Sequence, residues 1–240
     1  MPFDLQALVD ARVDDPFFSR KNTVFRSTLD GSPVVVKIFA EDAIEGALKE
    51  YSILEGCHRN GVSVPRPIGL SGNALVMEFV EGETLSEILD RHWLTGTDEG
   101  AKSRTHLGSI AGSVGAWLAR FHSSYDSRTR RGDAIVRNFL IGQKGTTGLD
   151  FEESSESDVI DDIGEICTSV LSMHPMFTEE KVEFCRNVVD SYFTTSGLAR
   201  RADVPSAVAR AMMRYASFRK DGSSMVAKAH DIELHGIWLE

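Results

Sequence analysis

The sequence predicts an α+β protein of two lobes: a small, mainly antiparallel β lobe with one helix over residues 1–80, and a larger, mainly helical lobe over 81–240. Three observations carry this. β-Branched and aromatic runs crowd the first eighty residues; apolar residues recur at helical spacing after Gly82; and no repeat or long linker separates independent domains.

Taken in order, Thr23 to Leu29 and Val34 to Phe39 flank Asp30-Gly31, the composition of a hairpin with a tight turn. Ile44, Leu48, Tyr51 and Leu54 follow as one apolar stripe of a helix. Val64-Pro65-Arg66-Pro67 cannot continue that helix, because the residue before a proline is driven out of the α region. A second hairpin is expected from Ile68 to Ser71 and Ala74 to Val80 around Gly72-Asn73. Four helical stripes come next: Leu107 to Phe121, Val159 to Val170, Val182 to Val189 and Val204 to Tyr215. Between the first two, Asn138 to Gly142 and Gly148 to Phe151 read as brief strands around Lys144-Gly145-Thr146-Thr147.

Composition bounds the function. With 42% hydrophobic and 26% charged residues the chain can build its own core. Twenty-six Lys and Arg against thirty-six Asp and Glu leave a net charge of −10, which disfavours general attraction to nucleic acid or anionic lipid. Cys57, Cys167 and Cys185 sit outside any metal-binding spacing and read as reduced core thiols. No run of apolar residues is long enough to span a bilayer, and the first fifteen residues are acidic where a signal peptide is basic and then apolar. A cytoplasmic protein without membrane partners is expected.

The polar residues suggest chemistry. Asp133 and, five residues on, Asn138 lie in a loop, and Asp150 follows at the far end of a hairpin. These three oxygen donors suit a hard divalent cation such as Mg²⁺, with Asn138 and Asp150 holding the metal and Asp133 left to accept a proton from an attacking hydroxyl. Asp and Asn also serve simply as turn residues. Lys37 lies inside the apolar run VVVKIF, where an ammonium is costly unless it meets an anion. Glu50, thirteen residues later, can turn back toward it; Glu45 competes for that role.

In this order the residues resemble the protein-kinase-like superfamily. That group takes in protein kinases, RIO kinases, the kinase subunit of the KEOPS complex, aminoglycoside and choline phosphotransferases, and lipopolysaccharide-core kinases. The motifs are VVVKIF, KEYSIL, ALVMEFVEGETL, LARFH, RGDAIVRNFLI and LDFE, spread from about Phe17 to Val170. The resemblance implies a bilobal kinase-like fold with ATP and Mg²⁺ as cofactors. It implies that Lys37 grips the α- and β-phosphates and pairs with Glu50, that Asp133 is the catalytic base, and that Asn138 and Asp150 bind the metal. By the same resemblance Met77 is the gatekeeper, Glu78 and Val80 offer main-chain groups to adenine, and Asp161 or Asp162 ties down the catalytic loop.

Several departures from the family's pattern stand out. Where a glycine-rich loop belongs, the chain reads Ser19-Arg20-Lys21-Asn22-Thr23-Val24, so Ser19, Asn22 or backbone N–H groups must meet phosphate. Arg131 stands where related catalytic loops carry histidine, and Glu152 replaces the glycine of Asp-Phe-Gly. No activation loop is evident, so switching by loop phosphorylation is not expected.

Asp133 follows His122 by only eleven positions, a gap that resembles the KEOPS-type, RIO and lipopolysaccharide-core kinases. The expected reaction is transfer of the γ-phosphoryl group of ATP to a hydroxyl, leaning to an atypical Ser/Thr protein kinase. A small-molecule phosphotransferase acting on a sugar, metabolite or lipid head group is the alternative, and a noncatalytic binding module is the third. Nucleic acid is expected as a partner only through the basic C-terminal residues Arg200, Arg201, Arg210, Arg214, Arg219 and Lys220.

Overall fold

The Asp30-Gly31 turn takes the left-handed backbone at both positions, φ 49° and 76°, the geometry that lets two right-twisted strands close on a two-residue turn. In this computed structural model, which describes residues 3–13, 16–17, 19, 21–94 and 100–236, the turn joins β1 (Thr23–Leu29) to β2 (Ser32–Ile38). A short helix, α1 (Leu5–Asp10), precedes them, its first N–H groups capped by Asp4, which accepts from Gln6 N–H at 3.0 Å. After β2 come α2 (Ile44–Arg59), β3 (Pro67–Ser71) and β4 (Ala74–Glu78). The four strands form one antiparallel sheet in the order β1-β2-β4-β3. Leu8, Phe25, Val34, Val36 and Val76 are buried in its core, so α1 covers one face.

The expected apolar stripe of α2 is not the face that packs. Ile44 and Leu48 are 46% and 55% exposed, whereas Ala47, Glu50, Ile53, Leu54 and Cys57 are buried. The stripe is rotated because α2 turns a carboxylate, Glu50, inward.

The remaining elements are β5 (Glu83–Thr84), α3 (Leu85–Leu94), α4 (Gly100–Ser123), β6 (Thr129–Arg130), β7 (Phe139–Gly142), β8 (Gly145–Gly148), β9 (Ser155–Glu156), α5 (Ile160–Leu171), α6 (Glu179–Ser196), α7 (Val204–Ala216) and α8 (Gly222–His235). β8 begins earlier than the expected Gly148–Phe151. Thr146 and Thr147 supply its β-branched, buried residues, while Asp150 adopts φ 61° and cannot extend a strand. α4 packs on α6 and α5 on α7, around Trp117, Phe121, Phe139, Tyr192 and Met212, all essentially buried. The three cysteines are free and buried.

Contacts divide the chain into two units. One comprises the residues up to Glu81 together with Gly148–Glu153; the other comprises Gly82–Thr147 and the residues from Ser154. The segment Gly148–Glu153, expected with the helical lobe, thus packs with the sheet. No helix among the described residues is long and apolar enough to cross a membrane.

Candidate functional site

The smaller unit gathers one cation and three carboxylates. Lys37 is 5% exposed near the end of β2, and its Nζ donates to Glu50 Oε2 and to Asp150 Oδ1, each at 2.7 Å, with Glu152 Oε2 at 3.6 Å. Glu50 is 1% exposed, while its competitor Glu45 faces solvent. Burial alone would lower the Lys37 pKa, but the charges of Glu50 and Asp150 outweigh it and hold the pKa above its ordinary value. Burial pushes the Glu50 carboxyl up, with Lys37 pulling against it.

The LDFE segment supplies the other two acids through local backbone geometry. Positive φ is uncommon outside glycine, and at Asp150 it aims the carboxylate at Lys37 while Phe151 is fully buried. Glu152, to which the sequence assigned no role, is held by the Asn22 side-chain amide at 2.7 Å, and Lys21 pairs with Glu153 at 2.6 Å. Asn22 therefore spends its amide on Glu152, and its N–H goes to Ser19 Oγ at 3.2 Å. Oxygens of Glu50, Asp150 and Glu152 lie within 4.8 Å of one another, gathered around the Lys37 ammonium; of these Asp150, the most exposed, is the hard oxygen donor suited to a divalent cation. Met77 is buried and Glu78 exposed at the end of β4, with Val80 half-buried just beyond. Glu78 N–H already donates to Arg66 C=O at 2.9 Å, leaving its C=O as the group it can offer a base edge.

The larger unit holds Asp133 and Asn138. Asp133 also has positive φ, 44°, directly after Gly132 at 68°. Asn138 Nδ2 donates to the Asp133 C=O at 2.9 Å and to its Oδ2 at 3.1 Å, which leaves the amide oxygen for a cation. Arg137 Nη2 lies 4.0 Å from Asp133 Oδ2. The loop's carbonyls are bound by Arg131, fully buried, which donates to the C=O groups of Gly132, Asp133 and Asn138 while lying over the Phe139 ring. Arg131, a departure noted in the sequence, thus does structural work.

The loop's N–H groups are bound from α5. Asp162, not Asp161, is the buried aspartate: it accepts from Arg131 N–H, from Gly132 N–H at 3.0 Å and from His122 Nε2 at 3.0 Å. Asp161 instead pairs with Arg210. Burial alone would raise the Asp162 pKa, yet hydrogen bonding by His122 and the Arg130 charge pull it below its ordinary 3.8. His122 closes this network through Tyr192 Oη at 2.9 Å.

The basic C-terminal residues are mostly engaged within the chain. Arg200 makes paired bonds to Asp158 at 2.9 and 2.8 Å, Arg201 pairs with Asp190, Arg214 with Glu165 and Arg219 with Asp221.

Comparison with known proteins bears on the fold. The RIO domain model matches residues 29–107, a third of the chain. No curated protein matches the sequence significantly. Among solved structures, amicoumacin kinase hAmiN in complex with AMP-PNP, Ca²⁺ and Ami superposes with a TM-score of 0.67 at 16% identity, covering 96% of this chain and 89% of that one. WaaP in complex with acyl carrier protein gives 0.55 at 16% identity, covering 93% and 90%. A Ralstonia eutropha protein provisionally described as an aminoglycoside phosphotransferase gives 0.57 at 13%, covering 95% and 92%. At such identities the likeness shows the fold.

Proposed function

We propose that this chain, which has the protein-kinase-like fold, is an ATP- and Mg²⁺-dependent phosphotransferase that moves the γ-phosphoryl group onto a hydroxyl acceptor. The observation that carries the reading is Lys37, a buried ammonium bracketed by Glu50 and Asp150 at equal 2.7 Å distances. A lone structural lysine needs one counter-charge; a half-exposed second carboxylate beside it suits a group that exchanges between an amine and a metal.

In this reading Glu50 fixes the Lys37 ammonium, which binds the α- and β-phosphates. Asp150 and Asn138 hold the divalent cation, and Glu152 lies beside Asp150 at the Lys37 ammonium. The cation, when bound, neutralises charge developing on the transferred group. Main-chain groups of Glu78 and Val80 receive adenine beside Met77, and Asn22 steadies the phosphate-facing segment through Glu152. Asp133 accepts the proton of the acceptor hydroxyl; Asn138 orients its carboxylate.

The acceptor is a protein Ser or Thr hydroxyl in our reading, supported by the RIO-domain match and by the short passage from α4 to Asp133, which holds only turns and β6. A small hydroxylated molecule is the second reading, favoured by the superposition on amicoumacin kinase. Screening both classes with γ-labelled ATP separates them.

The primary test is nucleotide binding. Mg-AMP-PNP at about a hundred times its Kd stabilises the fold by roughly 2.7 kcal/mol, a Tm rise of roughly 5 °C. Asp133→Ala keeps that rise and loses phosphotransfer. Absence of any metal-dependent rise would reject the nucleotide site, and surviving turnover in Asp133→Ala would reject the base.

A further inference from the structure

We propose that Glu165 and Ser169 are positioning residues for Asp133, acting through the backbone of its loop. The inference rests on the reading of Asp133 as the base. Along α5, Asp162, Glu165 and Ser169 occupy positions i, i+3 and i+7, which one helix face presents in a row. Each accepts from the loop. Asp162 takes Arg131 and Gly132 N–H, Glu165 Oε2 takes Ala134 N–H at 3.1 Å, and Ser169 Oγ takes Val136 N–H at 3.2 Å.

The rungs therefore fall on both sides of Asp133, and four N–H groups within six residues are fixed by one rigid helix. All three acceptors are less than a tenth exposed. α7 supports the Glu165 and Ser169 rungs with the adjacent residues Arg214 and Tyr215. Arg214 Nη2 holds Glu165 Oε1 at 3.0 Å, joined by Arg130 at 2.6 Å, and the Tyr215 phenol shares a hydrogen bond with Ser169.

The physical reason for such a ladder is the backbone at Asp133. Left-handed φ at a non-glycine residue persists only where its surroundings over-determine it. Arg131 holds the loop's carbonyls, but carbonyl bonds on one side leave the loop free to rock; the N–H bonds on the other side remove that freedom. A base displaced by about 1 Å loses rate on the order of a hundred-fold. Loss of a single rung shifts it by less.

The test uses the full-length protein, phosphate release from Mg-ATP with water as acceptor, and hydrogen exchange. Ser169→Ala is expected to speed amide exchange in the peptide carrying Val136, lower kcat on the order of ten-fold, and leave KM for ATP within two-fold. Ser169→Thr restores the hydroxyl and most of the rate. Glu165→Gln keeps an accepting oxygen but loses its arginine partners, and is expected to fall between wild type and Ser169→Ala. In an Asp133→Asn background Ser169→Ala costs nothing further.

Exchange or kcat unchanged in both Ser169→Ala and Glu165→Gln overturns the inference. So does a loss that multiplies with Asp133→Asn, which marks general loosening of the fold. Should Ser169→Ala not fold, Glu165→Gln decides alone. A wild type that binds Mg-AMP-PNP and hydrolyses ATP while both variants behave normally sinks only the ladder; a wild type that does neither sinks the phosphotransferase reading and the ladder with it.

Discussion

A lysine ammonium inside a β-strand stands only if anions replace its lost water, and Lys37 has two carboxylates at 2.7 Å to do so. Removing it leaves the Glu50 carboxyl buried without its partner. Lys37→Met is expected to destabilise the fold by about 3 kcal/mol, and Lys37→Met with Glu50→Gln by less than the first change alone; denaturant midpoints of the two variants check this. Because the Lys37 pKa is raised, its share of stability is complete below about pH 10.5 and is lost as pH climbs through the folded value. Asp162 works in the opposite sense: its lowered pKa gives stability that is present above 3.8 and disappears as pH falls through the folded value. Asp162→Asn is therefore expected to be less stable at pH 7 and to lose less on going from pH 4 to pH 2, read as Tm against pH. Lys37, Glu50, Asp133, Asn138 and Asp150 announce themselves in the sequence because polar residues beside apolar runs need a reason. Glu165 and Ser169 do not, since acids and hydroxyls in an acidic stretch look the same whether they face water or a loop's N–H groups.

At the level of helices and strands, α2 shows how a buried ion pair overrides a pattern. Periodicity alone placed Ile44 and Leu48 inward, yet Glu50 is drawn inward by Lys37 and rotates them toward solvent. Leu48→Glu is expected to cost less than about 0.5 kcal/mol, whereas Leu54→Ala costs about 2 to 5 kcal/mol; chemical denaturation distinguishes the two. Close helix contacts set a different limit. A Cβ at Gly115 of α4 would land on the Val188 carbonyl of α6, and one at Gly164 of α5 on the Ala207 carbonyl of α7. Gly115→Ala is expected to destabilise by more than about 2 kcal/mol despite its better helix propensity, because backbone must move. The hairpin before LDFE was foreseen, but its second strand starts at Gly145 because Thr146 and Thr147 fit a pleat and Asp150, with positive φ, does not.

Across the full chain, charge argues against nucleic acid. The net charge is −10, and Arg200, Arg201, Arg210, Arg214 and Arg219 each hold an acidic side chain. Fluorescence anisotropy with a short RNA is expected to show no binding near 50 mM salt, where phosphate contacts are strongest. The order of residue types along the chain was enough to read the α+β class, the two hairpins, the principal helices and the family resemblance, because turn residues, periodicity and motif spacing are local properties of a polymer. Which face of α2 turns inward, which of Asp161 and Asp162 is buried, that Glu152 joins Lys37, and that α5 grips the loop around Asp133 were settled only by folding. Each depends on a partner far away in sequence, and the strength of a buried hydrogen bond or ion pair is fixed by where that partner sits and how much water is left around it.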